Sequence, residues 1–359
     1  MHHLKIDLGN CVRVYSKNAA CDLCAQSCPE NAIFFNENIL KVEDSCIDCG
    51  GCIGICPTEA ISLPDFNTLD FIFAFLENEE SLLSCKKNLP CLATLGVEHL
   101  VSLALLGREL ILDIGHCSSC EIKDPLFDVI THNIDEANRF LEALENGKKI
   151  KAEEIACEQE PHEESVPERR AFLQRLSLKG ALRSKAEFER AVEEIDKRGL
   201  LTTTDTANIR KKEVPNRRKL LFMALRRIDK PERYRRFEAE ELSFISQKRI
   251  DEKCDNCSIC YRVCPTGALH SDQRGTKILF DTLSCVKCRL CHDVCEPNAI
   301  DLEEISTKSF FEPKVTELKK FNLVRCDECA NYFTYLGGET ICPRCKIEEE
   351  EAKSLWGIQ

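Results

Sequence analysis

The chain has 359 residues, 25 of them cysteine, and a formal net charge of −12. At roughly 150 residues per domain this length predicts several domains, and the negative charge disfavours a general nucleic-acid-binding role. No stretch approaches the roughly 20 apolar residues that span a bilayer, and the opening MHHLKIDLGN contains no signal-peptide core. We therefore expect a cytoplasmic protein with reduced cysteines rather than a secreted disulfide scaffold.

Residues 1–65 contain two cysteine runs. They are Cys21-x2-Cys24-x3-Cys28-Pro29 and Cys46-x2-Cys49-x2-Cys52-x3-Cys56-Pro57. Thiols two or three residues apart on a tight loop, with a further thiol just beyond, have the spacing of iron-sulfur ligands. Two short β-rich pieces lie between the runs, at residues 32–35 and 39–42, and predict a hairpin.

Residues 66–148 predict a small α/β domain. Residues 81–84 and 109–114 have the composition of strands, and apolar residues between Val97 and Leu105 recur at helical spacing. If the two strands are parallel neighbours, the cysteines that follow them emerge at one carboxyl edge of the sheet: Cys85, Cys91, Cys117 and Cys120. We expect these thiols to hold an iron-sulfur cluster of [4Fe-4S] or [2Fe-2S] type. Buried structural cysteines or a redox-active disulfide are the alternatives.

Residues 149–247 predict a charged helical insert that packs the other parts against one another. Residues 161–250 carry 23 Lys/Arg against 15 Asp/Glu, and the one cysteine of the insert, Cys157, is a predicted free surface thiol. Two amphipathic helices are expected, one with Phe188, Val192 and Ile195 and one with Leu221, Ala224, Leu225 and Ile228, entered at Val166-Pro and Val214-Pro. Few aromatics interleave with the basic residues 210–236, so we interpret them as a solvated or partner-docking face rather than a nucleic-acid site.

Residues 248–308 repeat the two-run arrangement. The runs are Cys254-x2-Cys257-x2-Cys260-x3-Cys264-Pro265 and Cys285-x2-Cys288-x2-Cys291-x3-Cys295. All four runs end in a similar tail: PENAI after Cys28, PTEAI after Cys56, PTGAL after Cys264 and EPNAI after Cys295. This internal repeat predicts two dicluster modules. Zinc and disulfides are weaker interpretations, because the thiols of a Cys-x2-Cys-x2-Cys loop cannot pair without strain.

Residues 320–348 contain Cys326-x2-Cys329-x12-Cys342-x2-Cys345. Two CxxC pairs at this separation predict a ribbon with one four-thiolate metal site. A structural zinc is favoured over a rubredoxin-like single iron, since rubredoxins favour glycine where Ala330 and Lys346 stand. The acidic tail at residues 348–352 has the composition of a disordered segment.

The paired runs resemble bacterial two-[4Fe-4S] ferredoxins twice over. In that pattern each cluster takes three cysteines from one run and the last cysteine of the other. The resemblance implies four ligand sets: Cys11, Cys21, Cys24 and Cys56; Cys28, Cys46, Cys49 and Cys52; Cys254, Cys257, Cys260 and Cys295; and Cys264, Cys285, Cys288 and Cys291. Cys11 substitutes for a cysteine missing at Asn18, across a nine-residue loop as in some larger iron-sulfur electron-transfer subunits. A three-ligand site is the alternative.

The middle stretch is similar in outline to the iron-sulfur delta subunits of some hydrogenases and to thioredoxin-like [2Fe-2S] ferredoxins. More broadly, the chain resembles iron-sulfur subunits of hydrogenases, formate dehydrogenases, heterodisulfide reductases and tungsten aldehyde oxidoreductases. The expected fold class is α+β, with two ferredoxin-like dicluster modules, a small α/β middle domain, a helical insert and a C-terminal zinc ribbon.

The resemblance also implies a function: a non-catalytic, low-potential subunit of an anaerobic oxidoreductase complex. Such a subunit relays single electrons through four [4Fe-4S] clusters and a fifth cluster, to or from flavin- or metal-bearing partner subunits. Two alternatives stay open, an oxidoreductase with its own active site in the middle domain and a redox-responsive regulator or scaffold. His116 and His292 adjoin predicted ligands, and we expect them beside the clusters rather than as ligands.

Overall fold

A computed structural model describes residues 4–155 and 212–356 of the chain. These residues form an α+β structure with two cysteine-rich modules, a middle α/β domain, a linking segment and a C-terminal hairpin. No helix in this described part is both long and apolar enough to cross a lipid bilayer. Cys157, the helix expected around Val192 and the helix entry at Val166 lie outside the described residues.

The first module, residues 4–65, is built from short antiparallel pairs. Its elements are β1 (Lys5–Ile6), α1 (Leu23–Gln26), β2 (Ile33–Asn36), β3 (Ile39–Val42), α2 (Gly51–Ile55) and β4 (Ile61–Ser62). β1 pairs with β4, and β2 and β3 form the predicted hairpin, whose turn residues Glu37 and Asn38 have positive φ as two-residue hairpins require. The small core mixes a few aliphatic side chains, such as Leu4 and Ile33, with the cysteines themselves. Metal ligation is therefore expected to contribute to the stability of this module.

The middle domain, residues 66–155, contains a three-stranded parallel sheet in the order β5–β6–β7. Its elements are α3 (Thr68–Glu77), β5 (Leu82–Leu83), α4 (Val97–Leu106), β6 (Leu110–Asp113), α5 (Lys123–Ala143) and β7 (Ile150–Glu153). The predicted β-α-β unit is confirmed by the parallel pairing of Leu82 with Ile111. The sheet also has a third strand, which lies beyond the expected domain limit at residue 148.

The linking segment, residues 212–246, contains α6 (Asn216–Leu225) and β8 (Arg236–Phe237). The predicted helix is present as α6, which packs on α4, but it ends before Ile228 and is buried on most of its sides rather than amphipathic. The interpretation of its basic residues as a solvated face is wrong at Arg217 and Arg218, which are 5% and 0% exposed. Both arginines form ion pairs with the buried Glu98 of α4, so charge complementarity allows them to enter the core.

The second module, residues 247–320, repeats the first and adds strands at its edge. Its elements are β9 (Gln247–Ile250), α7 (Ile259–Val263), β10 (Leu269–Ser271), β11 (Lys277–Asp281), α8 (Leu290–Asp293), β12 (Ile300–Glu303), β13 (Ile305–Ser306), α9 (Lys308–Phe311) and β14 (Val315–Lys320). β9 pairs with β12 as β1 pairs with β4. The N–H groups of Asp7 and Asp251 donate to the carbonyl oxygens of Ala60 and Ala299 at 2.8 and 2.9 Å. These matching hydrogen bonds show which positions of the two modules are equivalent.

The C-terminal part contains the antiparallel hairpin of β15 (Asn322–Arg325) and β16 (Tyr332–Tyr335), followed by α10 (Pro343–Trp356). The prediction of a disordered acidic tail is wrong, because residues 348–352 lie within α10. Ion pairs four residues apart stabilise this exposed helix, Arg344 with Glu348 at 2.7 Å and Lys353 with Glu349 at 2.6 Å.

Candidate iron-sulfur and metal centres

The structure gathers 20 of the predicted ligand cysteines into five groups of four, which we number in order of the contacts between them. They are site I (Cys85, Cys91, Cys117, Cys120), site II (Cys28, Cys46, Cys49, Cys52), site III (Cys11, Cys21, Cys24, Cys56), site IV (Cys264, Cys285, Cys288, Cys291) and site V (Cys254, Cys257, Cys260, Cys295). Within each group at least one thiol has its pKa raised in part by another thiol of the same group. Each predicted ligand set is thus brought together, while its ligation of iron stays a prediction.

The loops that carry the central cysteines of three runs share one backbone conformation. In each loop the central cysteine lies between two residues with φ from 47° to 75°: Asp48 and Gly50, Asn256 and Ser258, Lys287 and Arg289. Such angles are uncommon for residues other than glycine and cluster where a functional geometry is imposed. The shared conformation allows three consecutive cysteines of a short loop to face one point.

Site III departs from that loop, as the sequence predicts. Asp22, between Cys21 and Cys24, has a φ of −136°, and Cys11 supplies the remaining thiol from the start of a short 3-10 helix, Val12–Tyr15. The connecting loop is held in place by the Asn38 side chain, whose Nδ2 donates to the carbonyl oxygens of Ser16 at 3.1 Å and Lys17 at 2.8 Å. Four thiols are therefore present at site III, rather than three.

The repeated tail provides a hydrogen bond to sulfur after three of the four runs; after Cys264 the equivalent N–H, of Ala268, donates to Thr266 Oγ1 at 3.4 Å instead. The N–H groups of Ala32, Ala60 and Ala299 each donate at 3.3 Å to the Sγ atom four residues earlier, of Cys28, Cys56 and Cys295. These alanines are at most 2% exposed, so the position admits little more than a methyl group. After Cys295 the proline stands one residue later than in the other runs, at Pro297, and this contact is unchanged. Backbone donors of this kind stabilise negative charge on the ligand sulfur.

Site I lies where the sheet topology predicts, at the carboxyl ends of β5 and β6. The edge is organised by Asp113, which accepts hydrogen bonds from Ser84 Oγ at 2.8 Å and from the Gly115 N–H at 3.0 Å. All four cysteines line one cavity of about 200 Å³, together with Lys86, Lys123, His116 and an apolar wall from α5. The cavity beside site II is far smaller, at about 10 Å³.

The ionisation of the thiols indicates which group fits these sites. Burial, followed by the neighbouring Cys56 and Cys21, raises the pKa of Cys24. At site I, burial, followed by Cys85, raises the pKa of Cys117 to about 11. Four thiolates this close together would repel one another and need a cationic core at their centre. The donor set, the burial and the N–H donors all fit iron-sulfur clusters.

Sites I, II and III follow one another in space. Burial raises the pKa of Cys91 in site I to about 12, and part of this shift comes from Cys49 of site II, which lies beside it. Here α2 and the 3-10 helix Leu92–Thr94 approach so closely that a Cβ atom on Gly54 would lie 2.3 Å from the Ala93 carbonyl oxygen. Within the first module, Cys24 of site III lies beside Cys52 of site II.

Sites III, IV and V continue this order across the interface between the modules. Cys21 of site III and Cys288 of site IV pack against one apolar cluster, whose buried members are Val12, Ala19, Leu290 and Val294. The Ala20 N–H also donates to Asp293 Oδ2 at 2.9 Å across this interface. Within the second module, Cys291 of site IV lies beside Cys260 of site V.

A buried lysine beside site IV was not identified as functional from the sequence. Lys248 is 2% exposed, and its Nζ atom lies 3.1 Å from Nε2 of His292, which accepts this hydrogen bond. Burial would lower the pKa of Lys248, but the thiols of Cys285 and Cys291 raise it above its usual value. Burial and then Lys248 lower the pKa of His292 to about 4, so the imidazole is neutral at physiological pH. The only sequence signal was the adjacency of His292 to a predicted ligand.

The four C-terminal cysteines also converge. The Sγ atoms of Cys326, Cys329, Cys342 and Cys345 all lie within 4.8 Å of one another, with two pairs separated by 4.0 and 3.7 Å. A tetrahedral metal with bonds of about 2.3 Å to sulfur needs thiolates about 3.8 Å apart. Burial opposes ionisation of Cys326, but backbone N–H groups near Cys329 and Cys342 lower its pKa to about 6. This arrangement fits a four-thiolate metal ion, zinc or iron alike.

The paired four-cysteine sites and the internal repeat define two ferredoxin-type modules in an iron-sulfur protein. Comparison with protein families supports this class directly: residues 253–300 match the 4Fe-4S dicluster domain, and residues 39–62 match the 4Fe-4S binding domain. The prediction of an iron-sulfur protein of the ferredoxin electron-transfer type is therefore confirmed.

Among curated proteins, the chain is similar to a ferredoxin of Streptomyces griseus, with 40% identity over 43 residues, which is 12% of this chain and 41% of that protein. It is also similar to a ferredoxin of Saccharopolyspora erythraea, with 38% identity over 56 residues, which is 15% of this chain and 48% of that protein. The chain thus spans less than half the length of each of these relatives. No solved structure matches it.

Proposed function

We propose that this chain is an electron relay in which iron-sulfur clusters at sites I to V pass single electrons between the middle domain and the second module. The order of the five sites carries this proposal, because each site lies beside the next without interruption. Bound clusters supply one-electron uptake and release, and the cysteines assigned to each site hold them. Four clusters are of the [4Fe-4S] type, and the fifth occupies site I.

The protein's own residues insulate and position the sites. The apolar cluster of Val12, Ala19, Leu290 and Val294 excludes water from the interval between sites III and IV. The close backbone contact at Gly54 keeps site I against site II. Burial and N–H donors at the sulfur atoms are the means by which a protein adjusts cluster potentials. No substrate chemistry is required from these residues.

The two ends of this order are the places where we expect partner subunits to exchange electrons. Site I opens to solvent through its cavity, whose rim carries the cationic Lys86 and Lys123. Site V contains the exposed Cys257, and the hairpin of β15 and β16 lies beside it, with Asn256 Nδ2 donating to Thr334 Oγ1 at 2.9 Å. We assign a structural zinc to the C-terminal four-thiolate site, where it would stabilise the hairpin of β15 and β16 beside site V. The partners are subunits of a redox complex that carry flavin or metal centres.

A reductive titration of the cluster-loaded full chain, followed by electron paramagnetic resonance, tests the relay. We expect about four to five electrons per chain and a fully reduced spectrum broadened by coupling between neighbouring clusters. Cys21→Ser, at the interior site III, should remove the coupling between the two halves. Cys157→Ser, outside all predicted sets, should leave the spectrum unchanged. Uptake of fewer than about three electrons, or a spectrum that is a plain sum of independent clusters, would contradict the relay.

The cavity at site I favours one second candidate, an oxidoreductase with its own active site in the middle domain. Its volume of about 200 Å³ leaves room for a small molecule beside the thiols. This candidate requires that an added ligand such as cyanide alter the resonance signal of site I. If the signal is unchanged and the isolated chain has no turnover, the relay alone accounts for site I.

A further inference from the structure

Sites II and IV occupy the same place in the two modules but face different side chains at one buried position. The matching hydrogen bonds of Asp7 and Asp251 align β1 with β9, so Leu4 and Lys248, three residues earlier, are equivalent. Leu4 lines the small cavity beside the four thiols of site II. Lys248 is instead buried beside site IV, where its Nζ atom contacts His292, the residue that follows Cys291.

Lys248 has no carboxylate partner among the residues that the structure describes. Its hydrogen-bond partner among those residues is His292, whose Nε2 lies 3.1 Å from Nζ and fixes the position of the ammonium group. A buried, unpaired ammonium group is costly unless an anion lies nearby. A cluster held by four thiolates carries net negative charge, and one unit more when reduced. Site IV is therefore the counter-charge of Lys248.

A second difference between the modules acts in the same direction. Asp48 stands two residues after Cys46 in site II, where the second module has Lys287 after Cys285. The Asp48 carboxylate lies beside the thiols of Cys46 and Cys49. Lys287 is balanced by Glu240, at 3.0 Å, so it contributes less than Lys248. Site II thus has a carboxylate beside it, and site IV has beside it a buried cation without a carboxylate partner among the described residues.

We propose that Lys248 makes site IV easier to reduce than site II and so directs electrons toward the second module. This inference rests on the proposed relay function. The step is one-electron transfer: the cluster at site II is oxidised by one electron, and the cluster at site IV is reduced by one. The ammonium group stabilises the added negative charge, and no proton needs to move.

The test is a potentiometric titration of the cluster-loaded full chain, followed by electron paramagnetic resonance. Cys49→Ser and Cys288→Ser assign the signals of sites II and IV. We expect Lys248→Met to lower the reduction equilibrium constant of site IV by at least tenfold, which is about 59 mV for one electron. Lys248→Arg, which keeps the charge, should stay within about threefold of the wild type, and Leu4→Lys should raise the constant of site II. The control is Lys253→Met, whose side chain is 69% exposed and screened by water, and it should leave both constants unchanged.

Two results would overturn the inference: a wild-type site II that is reduced as easily as site IV, or an unaltered site IV in Lys248→Met with full iron content. If Lys248→Met loses the cluster of site IV, Leu4→Lys becomes the deciding variant. An unchanged reduction equilibrium constant of site II in Leu4→Lys would then contradict the inference. The iron content distinguishes a failure of this inference about Lys248 from a failure of the proposed relay function. A wild-type chain that lacks clusters at sites II and IV contradicts the proposed function itself.

Discussion

Glu98 is the residue whose removal should cost the most stability outside the cysteine sites. It is 1% exposed and forms ion pairs with Arg217, at 2.8 Å, and with Arg218, both of them buried. Glu98→Gln keeps the shape of the side chain but leaves two buried guanidinium groups without their carboxylate. Removal of one partner from a buried ion pair costs about 3–5 kcal/mol, a large part of the 5–15 kcal/mol that stabilises a typical domain.

The measurement is urea unfolding of the cluster-loaded chain, followed by circular dichroism, with the free energy taken from the midpoint and slope. The control is Glu348→Gln, which removes an exposed ion pair with Arg344 and should cost at most about 0.5 kcal/mol. The double variant Glu98→Gln/Arg218→Met should recover part of the loss, because it leaves fewer unpaired charges. If Glu98→Gln costs less than about 1 kcal/mol, the buried ion pairs do not hold the middle domain to α6 as described.

Three further predictions concern the module contact, the unusual ligand and the pH dependence. Gly54→Ala should push the first module away from the middle domain, because its Cβ would meet the Ala93 carbonyl oxygen at 2.3 Å. Magnetic coupling between sites I and II should then weaken at constant iron content, and unchanged coupling would refute that contact. Cys11→Ser should remove about four irons per chain by elemental analysis, whereas Cys157→Ser should remove none; equal contents would mean that site III does not use Cys11. Burial and then Arg217 lower the pKa of His99 from 6.5 to about 3, so unfolding binds a proton below pH 6.5. The stability that this group contributes is present above pH 6.5, and about 2 kcal/mol of it should be lost by pH 5. Urea midpoints measured at the two pH values should show this loss in the wild type and not in His99→Gln.

The ligand sets could be predicted because their information is local. Two- and three-residue spacings place thiols on one loop, and the crossing of Cys28 and Cys56 between sites was implied by the resemblance to two-[4Fe-4S] ferredoxins. The site in the middle domain needed one more step, since the parallel order of β5 and β6 had to be inferred from apolar periodicity. The carboxyl-edge rule then brought Cys85 and Cys117 together correctly.

The features that the sequence did not predict depend on partners far away in the chain. From the sequence alone Arg218 is expected to be solvated, because its buried partner Glu98 lies 120 residues away in the chain. Lys248 is one basic residue among many, and its importance follows from the register that makes it the equivalent of Leu4. The helical acidic tail was missed for another reason, because composition alone does not count the ion pairs that stabilise α10.

The content of iron, acid-labile sulfide and zinc in the anaerobically loaded full chain tests the central claim most directly. Clusters at all five sites and a metal at the C-terminal site predict about 18 to 20 irons with matching sulfide, and about one zinc, per chain. The range reflects the two cluster types that four cysteines at site I could hold. About eight irons per chain would contradict the account, because at most half of the thiol groups described above would then bind clusters.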